Sequence, residues 1–85
     1  MATWLVTGAN RGIGLAVCGQ LAARGDHVIA ACREGSAALA ELNLSVERGV
    51  DVTDDDSIAQ LAERLAGVTI DVLLNNAGIL NSERL

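Results

Sequence analysis

Short apolar runs alternate along this sequence with segments whose apolar residues recur every three or four positions, and that alternation constrains the fold more than any other feature. Trp4-Leu5-Val6-Thr7, closed by Gly8, reads as a buried strand. Beyond the glycines, Ile13, Ala16, Val17 and Leu21 follow helical spacing, and Arg24-Gly25 supplies a basic last turn and a glycine just past the helix end. His27 to Cys32 is the next strand, Ala37 to Leu42 a short Ala-rich helix, and Leu44 to Val50 contains a third, more polar strand. Thr53 reads as an N-cap with Asp54, Asp55 and Asp56 in the first turn, where carboxylates complement the helix dipole. Ile58, Leu61, Ala62 and Leu65 give that helix one apolar stripe, Gly67 ends it, and Ile70 to Leu74 is the last strand. Regular alternation of strand and helix predicts an α/β fold with a parallel sheet and helical crossovers.

Eighty-five residues make one domain, 1–85, with no linker, repeat or proline. A chain this short buries only about 60–65% of the surface it exposes unfolded. Its apolar residues, 51% of the total, are chiefly Ala, Leu, Val and Ile, and Trp4 is the sole aromatic, so the core must be closely packed from small side chains. A net charge of −5 argues against nucleic acid or an anionic membrane as partner. No apolar run approaches the roughly 20 residues that span a bilayer. MATWLVTG has no basic segment ahead of an apolar one, so the chain reads as soluble, untargeted and cytoplasmic. Cys18 and Cys32 lack metal-ligand spacing and read as buried, reduced thiols. The aspartate cluster is helix-start chemistry rather than a metal site, because Mg²⁺ and Ca²⁺ need ligands converging from a loop or several elements.

Thr7-Gly8-Ala9-Asn10-Arg11-Gly12-Ile13-Gly14 lies between the first strand and the first helix. Glycines there let the chain turn sharply and let backbone N–H groups approach a pyrophosphate, while the helix N-terminus offers free donors and a positive dipole end. Asn75-Asn76-Ala77-Gly78 follows the last apolar run and reads as the lip of a nucleotide pocket.

The spacing G-x-x-x-G-x-G, preceded by Thr7, resembles the T-G-x-x-x-G-x-G hallmark of the short-chain dehydrogenase/reductase family. Asp51-Val52-Thr53 and Asn75-Asn76-Ala77-Gly78 match two further family motifs in the expected order, and the three span nearly the whole chain. The resemblance implies half of a doubly wound Rossmann-like sheet with strand order 3-2-1-4. It also implies that Gly8, Gly12 and Gly14 form a diphosphate turn lined by Asn10, Arg11 and Ile13. Asp51 would accept from the adenine amino group with Val52 beside the ring, and Asn75, Ala77 and Gly78 would approach the cofactor ribose, Asn75 also tying the central strands together. In each case a purely structural role competes: a strand-end turn for Asp51, a solvated loop for the asparagines.

NAD-binding relatives of this fold place a carboxylate at the end of the second strand, where it holds the ribose 2′-OH. By the family's pattern that position is Cys32 here, and Arg33 follows. A neutral residue and a guanidinium suit a 2′-phosphate, so NADP(H) is expected over NAD(H), with Arg11 as a second candidate for the same phosphate. Glu34 is the competing residue, since its carboxylate would take the ribose hydroxyl if the loop settled one residue differently.

The family's catalytic tyrosine and the lysine four residues after it lie beyond the last motif. This sequence has no tyrosine and its six basic residues are all arginine, so the resemblance implies cofactor binding without catalysis, and no catalytic residue is assigned. The apolar last strand, an edge in this order, predicts a homodimer through that edge. A scaffold or assembly module that keeps the half-fold, and a second chain that supplies the catalytic half, are the alternatives.

Overall fold

The computed structural model describes residues 2–10 and 12–76. In chain order its elements are β1 (Thr3–Thr7), α1 (Gly12–Ala23), β2 (His27–Ala31), α2 (Ala37–Ala40), β3 (Ser45–Glu47), α3 (Asp55–Arg64) and β4 (Val72–Asn75). The strands form one parallel sheet in the order β3-β2-β1-β4, the expected arrangement.

Side chains alternate across a strand, and here both faces are apolar. One core cluster gathers Val6, Val28, Ala30 and Cys32 from the sheet against Cys18 and Leu21 of α1 and Leu39 of α2. Trp4, Val46 and Leu74 pack at its margin. On the other face, Ala31 and Val50 meet Leu61 of α3, with Leu5 and Leu65 alongside. Helices on both faces of a parallel sheet are the doubly wound arrangement.

Carboxylates fix the end of the sheet where β1 begins. Asp26 accepts from the Ala2 N–H at 3.2 Å and Asp71 from the Thr3 N–H at 2.8 Å, so the start of β1 is held from both sides. Arg24 lies 3.6 Å from the other Asp26 oxygen.

Gly25 ends α1 as the sequence predicts. It takes φ +89°, its N–H reaching Ala22 while Asp26 N–H reaches Leu21, a pair of bonds that caps the helix. The buried face of α1 differs in part from expectation: Leu21 is buried and Val17 packs against the core as expected. Gly14, Cys18 and Leu21 are inside, whereas Ile13 is 54% exposed and Ala16 is also exposed. Residues 12–23 are apolar or glycine almost throughout, so periodicity alone does not select a face, and the small residues that allow close approach to the sheet do.

The start of α3 also differs: Asp54 is its N-cap and accepts from Asp56 N–H at 3.0 Å. The hydroxyl of Thr53, the expected cap, is instead donated to Asp51. Leu61 is the buried member of the α3 stripe, while Ala62 is exposed and Ile58 remains 39% exposed. No described helix is long and apolar enough to cross a membrane.

Candidate functional site

Strand register aligns the segments that matter. Thr7 pairs with Ala31 and with Asn75, and Ala31 pairs with Glu47, so all four strands reach one rung together. Gly8, Cys32, Arg48 and Asn76 are the next residues of the four strands. The order reverses at β1, which has β2 on one side and β4 on the other. Ligands of open α/β sheets bind at such a switch point, beyond the carboxyl ends of the strands.

The loop after β1 turns with φ +62° at Gly8 and +61° at Gly12, conformations that cost a residue with a Cβ about 1–2 kcal/mol. Ala9 is fully buried and its N–H reaches Ala31 O at 3.3 Å, which folds the loop back on β2. Gly14 sits under this turn. A Cβ there would overlap the Gly8 carbonyl oxygen and stand 2.8 Å from Asn76 Nδ2, whereas one on Gly12 would meet nothing within 4 Å among the described residues. Among the described residues the loop is thus tight on its inner side and open on its outer side, where α1 begins, and a helix start of this kind fits a phosphate or diphosphate.

Asn76 completes the turn: it is 1% exposed and its Nδ2 donates to Gly8 O at 3.2 Å. Its Oδ1 is buried without a partner among the described residues. Next to it, Thr7 Oγ1 donates to Asn75 Oδ1 at 2.9 Å, joining β1 to β4 at the rung. Sequence reasoning assigned Asn75 and passed over Asn76, although the second asparagine holds the loop. The available signal was a paired amide directly after an apolar strand.

Asp51 closes a small turn of its own. Its Oδ1 accepts from Thr53 N–H at 2.9 Å and from Thr53 Oγ1 at 2.6 Å. These bonds, and secondarily the Arg33 charge, hold its carboxyl below the ordinary value of 3.8. Both bonds fall on one oxygen, and the other has no hydrogen bond among the described residues. Ser57 positions this segment from α3, accepting from Asp51 N–H at 2.8 Å and donating to Gly49 O at 3.1 Å. It was not anticipated from the sequence, because its partners lie in a separate loop. Val52 lines a cleft of about 210 Å³ with Thr7, Ile58, Leu73 and Asn75.

At the end of β2, Cys32 is buried while Arg33 and Glu34 are exposed. Burial raises the Cys32 thiol, partly offset by the Arg48 charge, and burial pushes Cys18 up to about 11, with a smaller push from Cys32. Both thiols are therefore protonated and unreactive at neutral pH. Asn10 is half-buried and Ile13 exposed at the mouth of the loop. Arg11, Ala77 and Gly78, also assigned from the sequence, lie outside the described residues. No group of three or more His, Cys, Asp or Glu side chains is placed to hold a metal among the described residues.

Comparison with known proteins agrees with this geometry. Residues 2–85 match the family model described as short chain dehydrogenase. The chain is 45% identical over 82 residues to 1-hydroxy-2-glutathionyl-2-methyl-3-butene dehydrogenase of Rhodococcus sp. (strain AD45), a match covering 94% of this chain and 36% of that protein. It is 42% identical over 81 residues to a 3-oxoacyl-acyl-carrier-protein reductase of Escherichia coli, covering 88% of this chain and 33% of that one. Among solved structures, a Burkholderia multivorans protein described as a short-chain dehydrogenase/reductase with bound NADP superposes with a TM-score of 0.77 at 34% identity, over 85% of this chain and 34% of that chain. The chain spans about a third of the length of these relatives. A glycine turn closed by Asn76, strands in the order 3-2-1-4 and the family match over residues 2–85 lead to one conclusion: the chain belongs to the short-chain dehydrogenase/reductase family.

Proposed function

We propose that these 85 residues are the NADP(H)-binding region of a cytoplasmic short-chain oxidoreductase and do not transfer hydride by themselves. The observation that carries the reading is the loop between β1 and α1, packed from below by Gly14 and Asn76 and open at Gly12. Gly8, Gly12 and Gly14, with Asn10, Arg11 and Ile13, hold the diphosphate. Asp51 accepts from the adenine amino group through the oxygen that Thr53 leaves free, and Val52 contacts the ring. Asn75, Ala77 and Gly78 approach the ribose. Arg33, following a buried thiol where NAD-binding relatives of the fold carry an acid, meets the 2′-phosphate. Bound NADP(H) supplies the hydride chemistry of the family. Its tyrosine and lysine are not among these residues and come from another segment or chain.

Titration with NADPH and NADH tests this. Saturable binding, tighter for NADPH and without carbonyl reduction, is expected; no saturable binding of either would leave the scaffold reading in its place. Arg33→Asp should reverse the preference between 2′-phosphorylated and plain ADP.

One observation favours a second role, self-association. Leu73 on β4 is 62% exposed and Val72 36% exposed, on the edge that no described strand pairs. An apolar edge of this kind invites pairing with a second copy. A dimeric mass in sedimentation at tens of micromolar, reduced to the monomer by Leu73→Lys, is the expected result.

A further inference from the structure

Arg48 is absent from the assignments above, and its surroundings are unlike those of the paired arginines. Arg64 Nε lies 2.6 Å from Glu47 Oε1, and Arg24 lies 3.6 Å from Asp26. Arg33 and Arg48 have no carboxylate within ion-pair distance among the described residues, in a chain of net charge −5. Both are exposed.

The backbone brings them together. Cys32 N–H bonds to Glu47 O at 3.0 Å as a parallel ladder requires, but the following rung closes from Val50 N–H to Cys32 O at 3.0 Å. Arg48 and Gly49 therefore occupy the space of one residue, with φ +72° at Gly49 and its N–H on Arg33 O at 3.1 Å. A bulge of this kind re-aims a side chain. Here it turns Arg48 onto the loop after β2, where a Cβ on Gly35 would stand 2.8 Å from Arg48 Nε and 3.2 Å from its Cζ. The guanidinium occupies the space that a Gly35 side chain would take, in the loop that carries Arg33.

We propose that Arg48 and Arg33 together form a two-guanidinium seat for a phosphomonoester, the 2′-phosphate of the bound dinucleotide, which makes Arg48 a specificity-determining residue. This rests on the NADP(H) reading. A phosphomonoester carries about −1.5 to −2 charges at pH 7, more than a single guanidinium neutralises. Planar guanidinium forks suit its oxygens better than an ammonium does. A Cβ at Gly35 would meet the Arg48 guanidinium, the far end of a flexible side chain, and shift it away from the seat.

Calorimetric titration with adenosine 2′,5′-bisphosphate and with adenosine 5′-monophosphate, which differ only in the 2′-phosphate, tests the assignment. Arg48→Gln should weaken the bisphosphate about tenfold, the size of one charge-assisted contact, and change the monophosphate less than twofold. The far-UV circular dichroism should stay unaltered. If Arg48→Gln does not fold, Arg48→Lys takes its place, with a loss of about three- to fivefold expected because the charge is kept and the fork is lost. An unchanged preference in the Arg48 variant, alongside its loss in Arg33→Gln, overturns the role of Arg48 alone, as does an equal weakening of both ligands. No preference for the bisphosphate in the unmodified chain overturns the NADP(H) reading and this assignment with it.

Discussion

The side-chain amide of Asn76 donates to the carbonyl oxygen of Gly8 across 3.2 Å, fastening the residue just after β4 to the one that opens the nucleotide loop. Replacing Asn76 with Ala strands a part-buried carbonyl and opens a gap under the loop. A loss of about 1–3 kcal/mol in urea unfolding is expected, together with weaker NADPH binding.

Two glycines of the same loop should respond differently to the same methyl group. Gly14→Ala drives Cβ into the Gly8 carbonyl, which is backbone and cannot swing away, so a loss of about 3 kcal/mol or more is expected. Gly12→Ala meets no described atom within 4 Å and bears the cost of its positive φ, about 1–2 kcal/mol. It should stay folded yet bind ADP poorly, because the new carbon occupies the side proposed for the diphosphate. Thermal unfolding and ADP titration of the two variants separate these effects.

Ser57→Ala removes both the acceptor for Asp51 N–H and the donor to Gly49 O. The expected cost is about 1–2 kcal/mol. Adenosine 5′-monophosphate should bind several-fold more weakly by calorimetry as Asp51 and Val52 lose their support.

The Asp51 carboxyl is charged in the folded chain at pH values where the unfolded chain takes up a proton. Its contribution to stability is therefore present above about 3.8 and disappears as pH falls through the lower folded value. Thr53→Val removes the hydroxyl donor. In a carboxyl-detected NMR titration the Asp51 midpoint should rise toward 3.8 in that variant.

Cys18 behaves in the opposite sense. With its thiol pushed from 9.0 to about 11, the folded chain keeps a proton that the unfolded chain releases. The contribution of Cys18 is full below pH 9 and falls between 9 and 11, on the order of 2–3 kcal/mol in all. Urea unfolding at pH 7.5 and 10.5 should show this loss, and Cys18→Ala should reduce the difference between the two pH values.

Strand positions, the glycine turn and the cap at Gly25 were legible because each is written in a few adjacent residues. The buried face of α1 was only partly legible, since Ile13 is as apolar as Cys18 and Leu21 and only contact with the sheet separates them. Thr53 and Asp54 are both competent N-caps, and the competition is settled by Asp51 taking the Thr53 hydroxyl. Asn76 acts on a residue 68 positions earlier, and local composition registers it only as a polar loop residue. Arg48 gains its direction from one extra residue in a strand, a feature visible only once the ladder is drawn.

Because Thr7, Ala31, Glu47 and Asn75 stand on one rung, the described segments that follow Thr7, Ala31 and Glu47 start from one level of the sheet, like spokes from a hub. A spoke can lengthen, shorten or change sign while every strand-to-strand bond below it stays intact. On the proposed reading, nucleotide choice is thereby uncoupled from foldability: exchanging one dinucleotide for another would take only a few changes around Arg33 and Arg48, with the sheet as a fixed chassis.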